Sequence, residues 1–269
     1  MNVKLVICDI DATLVNENKE LMPITKETLI ELHNKKIYFG IASGRPVDEL
    51  KQNKIYWNYP YDFDFVMGMN GAELWDNIHQ KEYSFFKMKK EWLKETLDLM
   101  QSIECTPFVY WKDKILCTRI DDVMLHSAHT SHKELEVVNV EDLYAHENAK
   151  IMFRMKEEDM PRTEKLVAEH SNAFYHGFKT QSTLLEFCDK RINKGYGLKK
   201  ICELNDFDLE NVVAFGDTSN DNEMLKLAGL GVCMKNGTQD TKDCADDITE
   251  YDNNHDGLGL YLKKHILKG

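Results

Sequence analysis

The chain has 269 residues, a formal net charge of −12, 42% hydrophobic and 30% charged residues. That length admits one large domain or two modest ones, with enough apolar content for a real core. The acidic balance argues against nucleic acid and anionic membrane surfaces as partners, while local cations or a metal still admit a small anionic substrate.

Leu5-Val6-Ile7-Cys8 is a nearly unbroken apolar run, read as a strand buried on both faces, and it leads into Asp9 and Asp11. Carboxylates at the end of such a strand either cap a turn or need a neutralising partner, and a divalent cation would serve. After a polar loop, Pro23-Ile24-Thr25 opens a helix with Thr25 as N-cap and Leu29 and Leu32 toward the core. Residues 37–42 form a second buried strand, followed by Ser43-Gly44-Arg45-Pro46 and a helix with Pro46 at its first position. The aromatic stretch 56–61 lacks interleaved basic residues and reads as packing under a loop, not as a base-stacking platform. Residues 65–69 are a strand, Asn70-Gly71 a turn, and 72–86 a strand pair around Asp76-Asn77.

The pattern changes near residue 87. A helix over 87–103 precedes a hairpin around Lys112-Asp113-Lys114, a mixed helical stretch to about 144, and an alternating strand over 150–155. A helix over 161–171 and paired strands over 173–178 and 183–187 complete a segment whose helices and strands are segregated, the grammar of an α+β module. His126, His129 and His132 drift around a helix surface with no cysteine or acid pair to complete a metal set, so they read as polar surface. The last part returns to α/β order. Lys194 lies in the first turn of a helix, residues 211–215 are a buried strand ending in Gly216-Asp217, and Thr218-Ser219-Asn220-Asp221 opens another helix. A further strand spans 230–234 and a final helix 257–266. The seven scattered cysteines lack a C-x-x-C pair, which argues against disulfides and structural zinc. With no signal peptide and no transmembrane run, the expected location is the cytoplasm.

Four anomalies each follow a buried strand or open a helix. Asp9 and Asp11 are the first. Ser43-Gly44 offers amides at a helix N-terminus, where phosphate binds, although Ser43 could simply cap that helix. Lys194 sits where the helix macrodipole disfavours a cation, a local rule broken without visible compensation. Asp217 ends another buried strand, and Asn220 and Asp221 could be ordinary helix-start residues. Together they supply what phosphoryl transfer requires. Asp9 and Asp217 can hold Mg²⁺, and Ser43-Gly44 with Lys194 can bind phosphate oxygens. One aspartate is left to attack phosphorus and another to manage the leaving-group proton.

These residues resemble the four motifs of the haloacid dehalogenase superfamily of phosphohydrolases, in its Cof-type branch with a large α/β cap between motifs two and three. Asp9-Ile10-Asp11-Ala12-Thr13-Leu14 matches motif one, Ala42-Ser43-Gly44-Arg45-Pro46 motif two, Asn193-Lys194-Gly195 motif three, and Gly216-Asp217-Thr218-Ser219-Asn220-Asp221 motif four. The resemblance implies a doubly wound parallel-sheet (Rossmann-like) α/β core, residues 1–86 and 187–269, with an inserted α+β cap domain over 87–186. It implies Asp9 as nucleophile and metal ligand, and Asp11 as proton carrier with its backbone carbonyl on the metal. Ser43, Gly44, Lys194 and Asn220 would bind the phosphoryl group, Asp217 would complete the Mg²⁺ site, and Asp221 would support it. Asn70-Gly71 resembles a family turn beside the site, and Arg45 is a further candidate for substrate contact. Where this chain has Ala12, many members have glycine. The implied activity is a Mg²⁺-dependent phosphatase acting through an aspartyl-phosphate on a small phosphorylated metabolite. Sugar phosphates come first among substrates, then nucleotide or cofactor monophosphates. A sugar phosphomutase and a non-catalytic phosphometabolite-binding regulator are the alternatives, and monomer or homodimer stays open.

Overall fold

The computed structural model describes residues 2–267. They form two compact units: residues up to Tyr83 together with those from Asn193 onward, and the inserted Ser84–Ile192.

The first unit is α/β. Its opening segment runs β1 (Leu5–Asp9), α1 (Pro23–Asn34), β2 (Tyr38–Ala42), α2 (Val47–Leu50), α3 (Asn53–Tyr56), β3 (Phe65–Gly68), β4 (Glu73–Asp76) and β5 (Lys81–Ser84). The inserted unit follows as α4 (Lys90–Met100), β6 (Cys105–Trp111), β7 (Lys114–Cys117), α5 (Asp122–Ser131), β8 (Glu134–Val137), α6 (Val140–Leu143), β9 (Lys150–Met155), α7 (Met160–Glu169), β10 (Tyr175–Gln181) and β11 (Leu184–Asp189). The chain then completes the first unit with α8 (Lys194–Asn205), β12 (Val212–Gly216), α9 (Asn222–Leu227), β13 (Leu230–Cys233), α10 (Gln239–Cys244), β14 (Asp247–Ile248) and α11 (Gly257–His265).

The sheet order β14-β13-β12-β1-β2-β3-β4-β5 puts β1 near the centre, parallel to β12 on one side and β2 on the other. Strands alternate their side chains between faces. Val6 and Cys8 therefore join one hydrophobic layer with Leu29 and Leu32 of α1 and Leu258 and Leu262 of α11. Leu5, Ile7 and Asp9 point the other way, where α8 and α9 pack on each other and along the sheet. Parallel register sets Cys8 opposite Phe215 and Asp9 opposite Ala42, so three adjacent strands end at one level. Ligands in open α/β sheets bind at this carboxyl edge.

The inserted unit has its own six-stranded sheet, β10-β11-β9-β6-β7-β8, antiparallel except where β7 meets β8. Leu93 and Leu97 of α4 and Met160 of α7 bury one face with Ile151, Phe153 and Phe187, while Met124 and Ala128 of α5 cover part of the other. On that second face Lys150 and Glu186 form an ion pair at 2.9 Å, only 4% and 5% exposed, with Thr180 donating to the other Glu186 oxygen at 3.2 Å.

Several local readings change. Thr25 is not the N-cap of α1, because Pro23 takes the first helical position after Met22. Instead the Thr25 amide and hydroxyl both donate to Asp256, at 2.7 and 2.9 Å, so the helix start is satisfied from the loop before α11. Pro46 precedes α2, and the expected single helix there is two short ones. The stretch read as mixed helix to residue 144 contains strand β8, an exposed edge whose Glu134 and Glu136 hide its strand character. Strand β11 runs on to Asp189, so the inserted sheet extends past residue 186.

Removing one partner of a buried ion pair costs about 3–5 kcal/mol, whereas replacing both with apolar groups is often neutral. Lys150→Met should therefore lower unfolding stability by about 3 kcal/mol, and Lys150→Met with Glu186→Leu should recover most of it. Urea unfolding of the three proteins checks this, and an unaffected single variant contradicts it.

Candidate active site

Every residue singled out in the four motifs lies in the first unit. Asp9 ends β1, and Lys194 is the first residue of α8, whose N-terminus is capped by Asn193 accepting from the Tyr196 amide at 2.8 Å. The Lys194 side chain is 0% exposed. Its Nζ donates to Asp9 Oδ1 and to Asp221 Oδ1, the latter at 2.5 Å. The misplaced cation at a helix start is thus compensated by two carboxylates. Burial pushes the Lys194 pKa down, but Asp221 and Asp9 outweigh it and hold the ammonium well above its ordinary value.

Asp221 is positioned from both ends. Its Oδ2 accepts from the backbone N–H groups of Asp217 and Thr218, at 2.9 and 3.2 Å. That fold-back needs Gly216, where a Cβ would come 2.4 Å from the Asp221 Cβ. Asp217 follows the end of β12, and its Oδ1 accepts from the Thr13 hydroxyl at 2.9 Å. Burial, with Asp221 adding to it, raises the Asp217 pKa to about 6, although Thr13 and Lys194 oppose. Burial likewise raises Asp9, with Asp221 and Asp217 reinforcing and Lys194 opposing.

One oxygen each from Asp9, Asp217 and Asp221 lie within 4.8 Å of one another. Three carboxylates against one ammonium leave a surplus that a divalent cation would cancel, and an all-oxygen donor set suits a hard ion. Both Asp221 oxygens are already held by protein donors, which leaves Asp9 and Asp217 as the better-placed ligands. The residues fit the metal. Among the described residues this is the one such group, and His126, His129 and His132 on and just after α5 form none.

The phosphate-binding candidates surround it. Ser43 leaves β2, its amide donating to Met67 O at 2.9 Å and its hydroxyl accepting from the Arg45 amide at 3.3 Å. Gly44 faces Asn70, which a side chain there would meet at 3.4 Å. Asn220 is exposed, accepts from Thr218 Oγ1 at 2.8 Å and donates to Asn70 Oδ1 at 3.4 Å.

The Asp11 carboxylate is occupied differently. Arg45 Nη2 reaches both of its oxygens, at 3.0 and 2.8 Å, and Lys19 Nζ donates to one of them at 2.8 Å. Burial pushes Asp11 up, but Arg45 and Lys19 together hold it below the ordinary carboxylate range. Lys19 lies in a polar loop with no period and carries no sequence signal of its contact, while Thr218 is legible only as a member of motif four. Thr13 stands two residues beyond Asp11 and was legible only as part of a motif.

The family model of haloacid dehalogenase-like hydrolases matches residues 6–262. The chain belongs to that family. The 5-amino-6-(5-phospho-D-ribitylamino)uracil phosphatase YitU of Bacillus subtilis is 26% identical, covering 97% of each chain. A haloacid dehalogenase-like hydrolase from Bacteroides thetaiotaomicron superposes with a TM-score of 0.85 at 24% identity, over 97% of this chain and 99% of that one. A sugar phosphatase of subclass IIB of the superfamily does so with a TM-score of 0.83 at 22% identity, over 97% and 98%. Family and relatives agree on the class of enzyme, a phosphatase. Among the described residues no helix is long and apolar enough to cross a membrane.

Two predictions follow from this geometry. Lys194→Met leaves buried carboxylates uncompensated and should cost about 3 kcal/mol at pH 7 without divalent cations. Carboxylates with raised pKa penalise the fold while ionised, and loss of Lys194 raises Asp217 further, so the deficit should narrow as pH falls from 8 toward about 6, where Asp217 takes a proton in the parent protein too. A deficit constant from pH 8 to pH 5 contradicts the assignment of charge as its cause. Ala12 stands in the left-handed region at φ 61°. Ala12→Gly should raise the urea midpoint by the equivalent of about 1 kcal/mol. A lowered midpoint contradicts the strain.

Proposed function

We propose that the protein is a Mg²⁺-dependent phosphatase that hydrolyses a small phosphorylated metabolite through an aspartyl-phosphate on Asp9. The observation that carries this reading is the placement of Asp9. It is a buried carboxylate at the central strand's end, one oxygen fixed by Lys194 and the group beside Asp217 and Asp221.

In the first step an Asp9 oxygen attacks phosphorus, and the bond from phosphorus to the ester oxygen breaks. Ser43 Oγ, the Gly44 amide, Lys194 Nζ and Asn220 bind the phosphoryl oxygens and spread the transition-state charge. Asp11 gives its proton to the departing oxygen. In the second step a water attacks the aspartyl-phosphate, Asp11 takes the water's proton, and inorganic phosphate leaves with Asp9 restored. Bound Mg²⁺, held by Asp9, Asp217 and the Asp11 carbonyl, would supply charge neutralisation for the dianionic phosphoryl group. Asp221 acts by fixing Lys194 and the backbone of residues 217–218.

Asp11 rests as a carboxylate between Arg45 and Lys19, the form needed for the second step. Serving as acid in the first step requires those cations to turn away. A substrate whose leaving group carries hydroxyl or anionic oxygens would draw Arg45 and Lys19 to itself. Phosphorylated sugars and sugar alcohols meet that description, and the names of YitU and of the subclass IIB sugar phosphatase fall in this chemical range. Nucleotide and cofactor monophosphates come next.

The test is a phosphate-release screen over sugar, sugar-alcohol, nucleotide and cofactor monophosphates. Turnover should require Mg²⁺ and vanish with chelator. Asp9→Asn should lower kcat at least about a thousandfold, a loss of about 4 kcal/mol in transition-state stabilisation. Retained turnover in Asp9→Asn, or turnover indifferent to chelation, would overturn the proposal.

A further inference from the structure

Three consecutive residues after β3 carry positive φ: Met69 at 50°, Asn70 at 55° and Gly71 at 101°. Glycine tolerates this and asparagine partly, but a methionine there sets its Cβ against the following carbonyl oxygen. Backbone strain of this kind persists only where the surroundings over-determine it. Here they do so from three directions.

Toward the loop after β2, the Met69 amide donates to Arg45 O and the Asn70 amide to Ser43 O, both at 2.9 Å, while the Ser43 amide returns a bond to Met67 O at 2.9 Å. The Asn70 side chain, 8% exposed, lies against Gly44, where any Cβ would meet it at 3.4 Å. Toward the loop after β12, Asn70 Oδ1 accepts from Asn220 Nδ2 at 3.4 Å. Toward α8, Gly71 sits so close that a Cβ would fall 2.4 Å from Asn193 O and 3.2 Å from the Gly197 amide. One turn therefore touches the segments that carry Ser43-Gly44, Asn220 and Lys194.

We infer that Asn70 is a positioning residue: the strained turn Met69–Gly71 locks the three phosphate-binding segments to one another, and the Asn70 side chain couples two of them. Oxyanion and phosphate donors are effective only when held within about 0.5 Å of the productive geometry. The turn provides that stiffness without contributing a ligand of its own. Its functional consequence rests on the phosphatase reading, but its mechanical claim does not.

The two are separated by Asn70→Gly, which keeps the left-handed backbone at no steric cost and removes only the side chain. Its thermal midpoint should equal or exceed that of the parent protein. Amide hydrogen exchange should quicken over residues 43–45 and at Asn220, while the Asn193–Gly197 amides, packed against Gly71 rather than the Asn70 side chain, stay as protected as before. Inhibition by inorganic phosphate should weaken about tenfold, the loss of roughly one net hydrogen bond, with kcat/KM falling at least as far. Asn220→Ala removes the other half of the same contact and should also quicken exchange over 43–45. Combined with Asn70→Gly, it should add little further loss, since the two share one coupling. Unchanged exchange over 43–45 in both single variants overturns the inference, whether or not the parent protein turns over any ester. A lowered thermal midpoint with phosphate inhibition intact likewise overturns it, since that marks a purely structural side chain.

Discussion

The site depends on one buried ammonium. Lys194 is inaccessible to solvent and bonded to two carboxylates, a geometry that would be prohibitive for either sign of charge alone. It opposes the burial that pushes the Asp9 pKa up, and it is the countercharge that an ionised Asp9 needs at the end of a buried strand. It also holds Asp221 in place, and Asp221 holds the backbone leading from Asp217. Remove the cation and the acids have no reason to stay together.

Secondary structure delivers these groups without long loops. Asp9, Ser43 and Asp217 leave three neighbouring parallel strands at one level because the register pairs Cys8 with Phe215 and Asp9 with Ala42. Lys194 arrives as the first residue of a helix, so its backbone is as fixed as theirs. The turn at Met69–Gly71 then ties the flanking segments together at a cost in backbone strain. Rigid elements set the charges, and the strained turn sets the donors around them. Asp11 alone is held by long, partly exposed side chains, Arg45 and Lys19, which suits the change of partner proposed for it.

Much of this was legible in the sequence, for identifiable reasons. Apolar runs ending in charge located β1 and β12, and a lysine at the wrong end of a helix located Lys194. Both signals are violations of local rules, and such violations concentrate where function resides. What was not legible depends on contacts distant in the chain. Thr25 looked like a helix cap, yet it bonds Asp256, 231 positions away. Asp221 looked like a helix-start residue, and only the fold brings Lys194 to it. The pairing of Asp11 with Arg45 joins two loops that carry no shared pattern. Short or exposed strands such as β8 and β14 lack the apolar runs that betray a strand.

The central claim is that Asp9 bonds to phosphorus, and trapping that bond tests it most directly. The protein, quenched in acid during turnover of a phosphoryl-labelled substrate, can be reduced with borohydride, which converts an acyl phosphate of aspartate to homoserine. Peptide sequencing should then find homoserine at position 9, only when substrate and Mg²⁺ were both present. Steady turnover with aspartate intact at position 9, or with the label on another residue, would contradict the account.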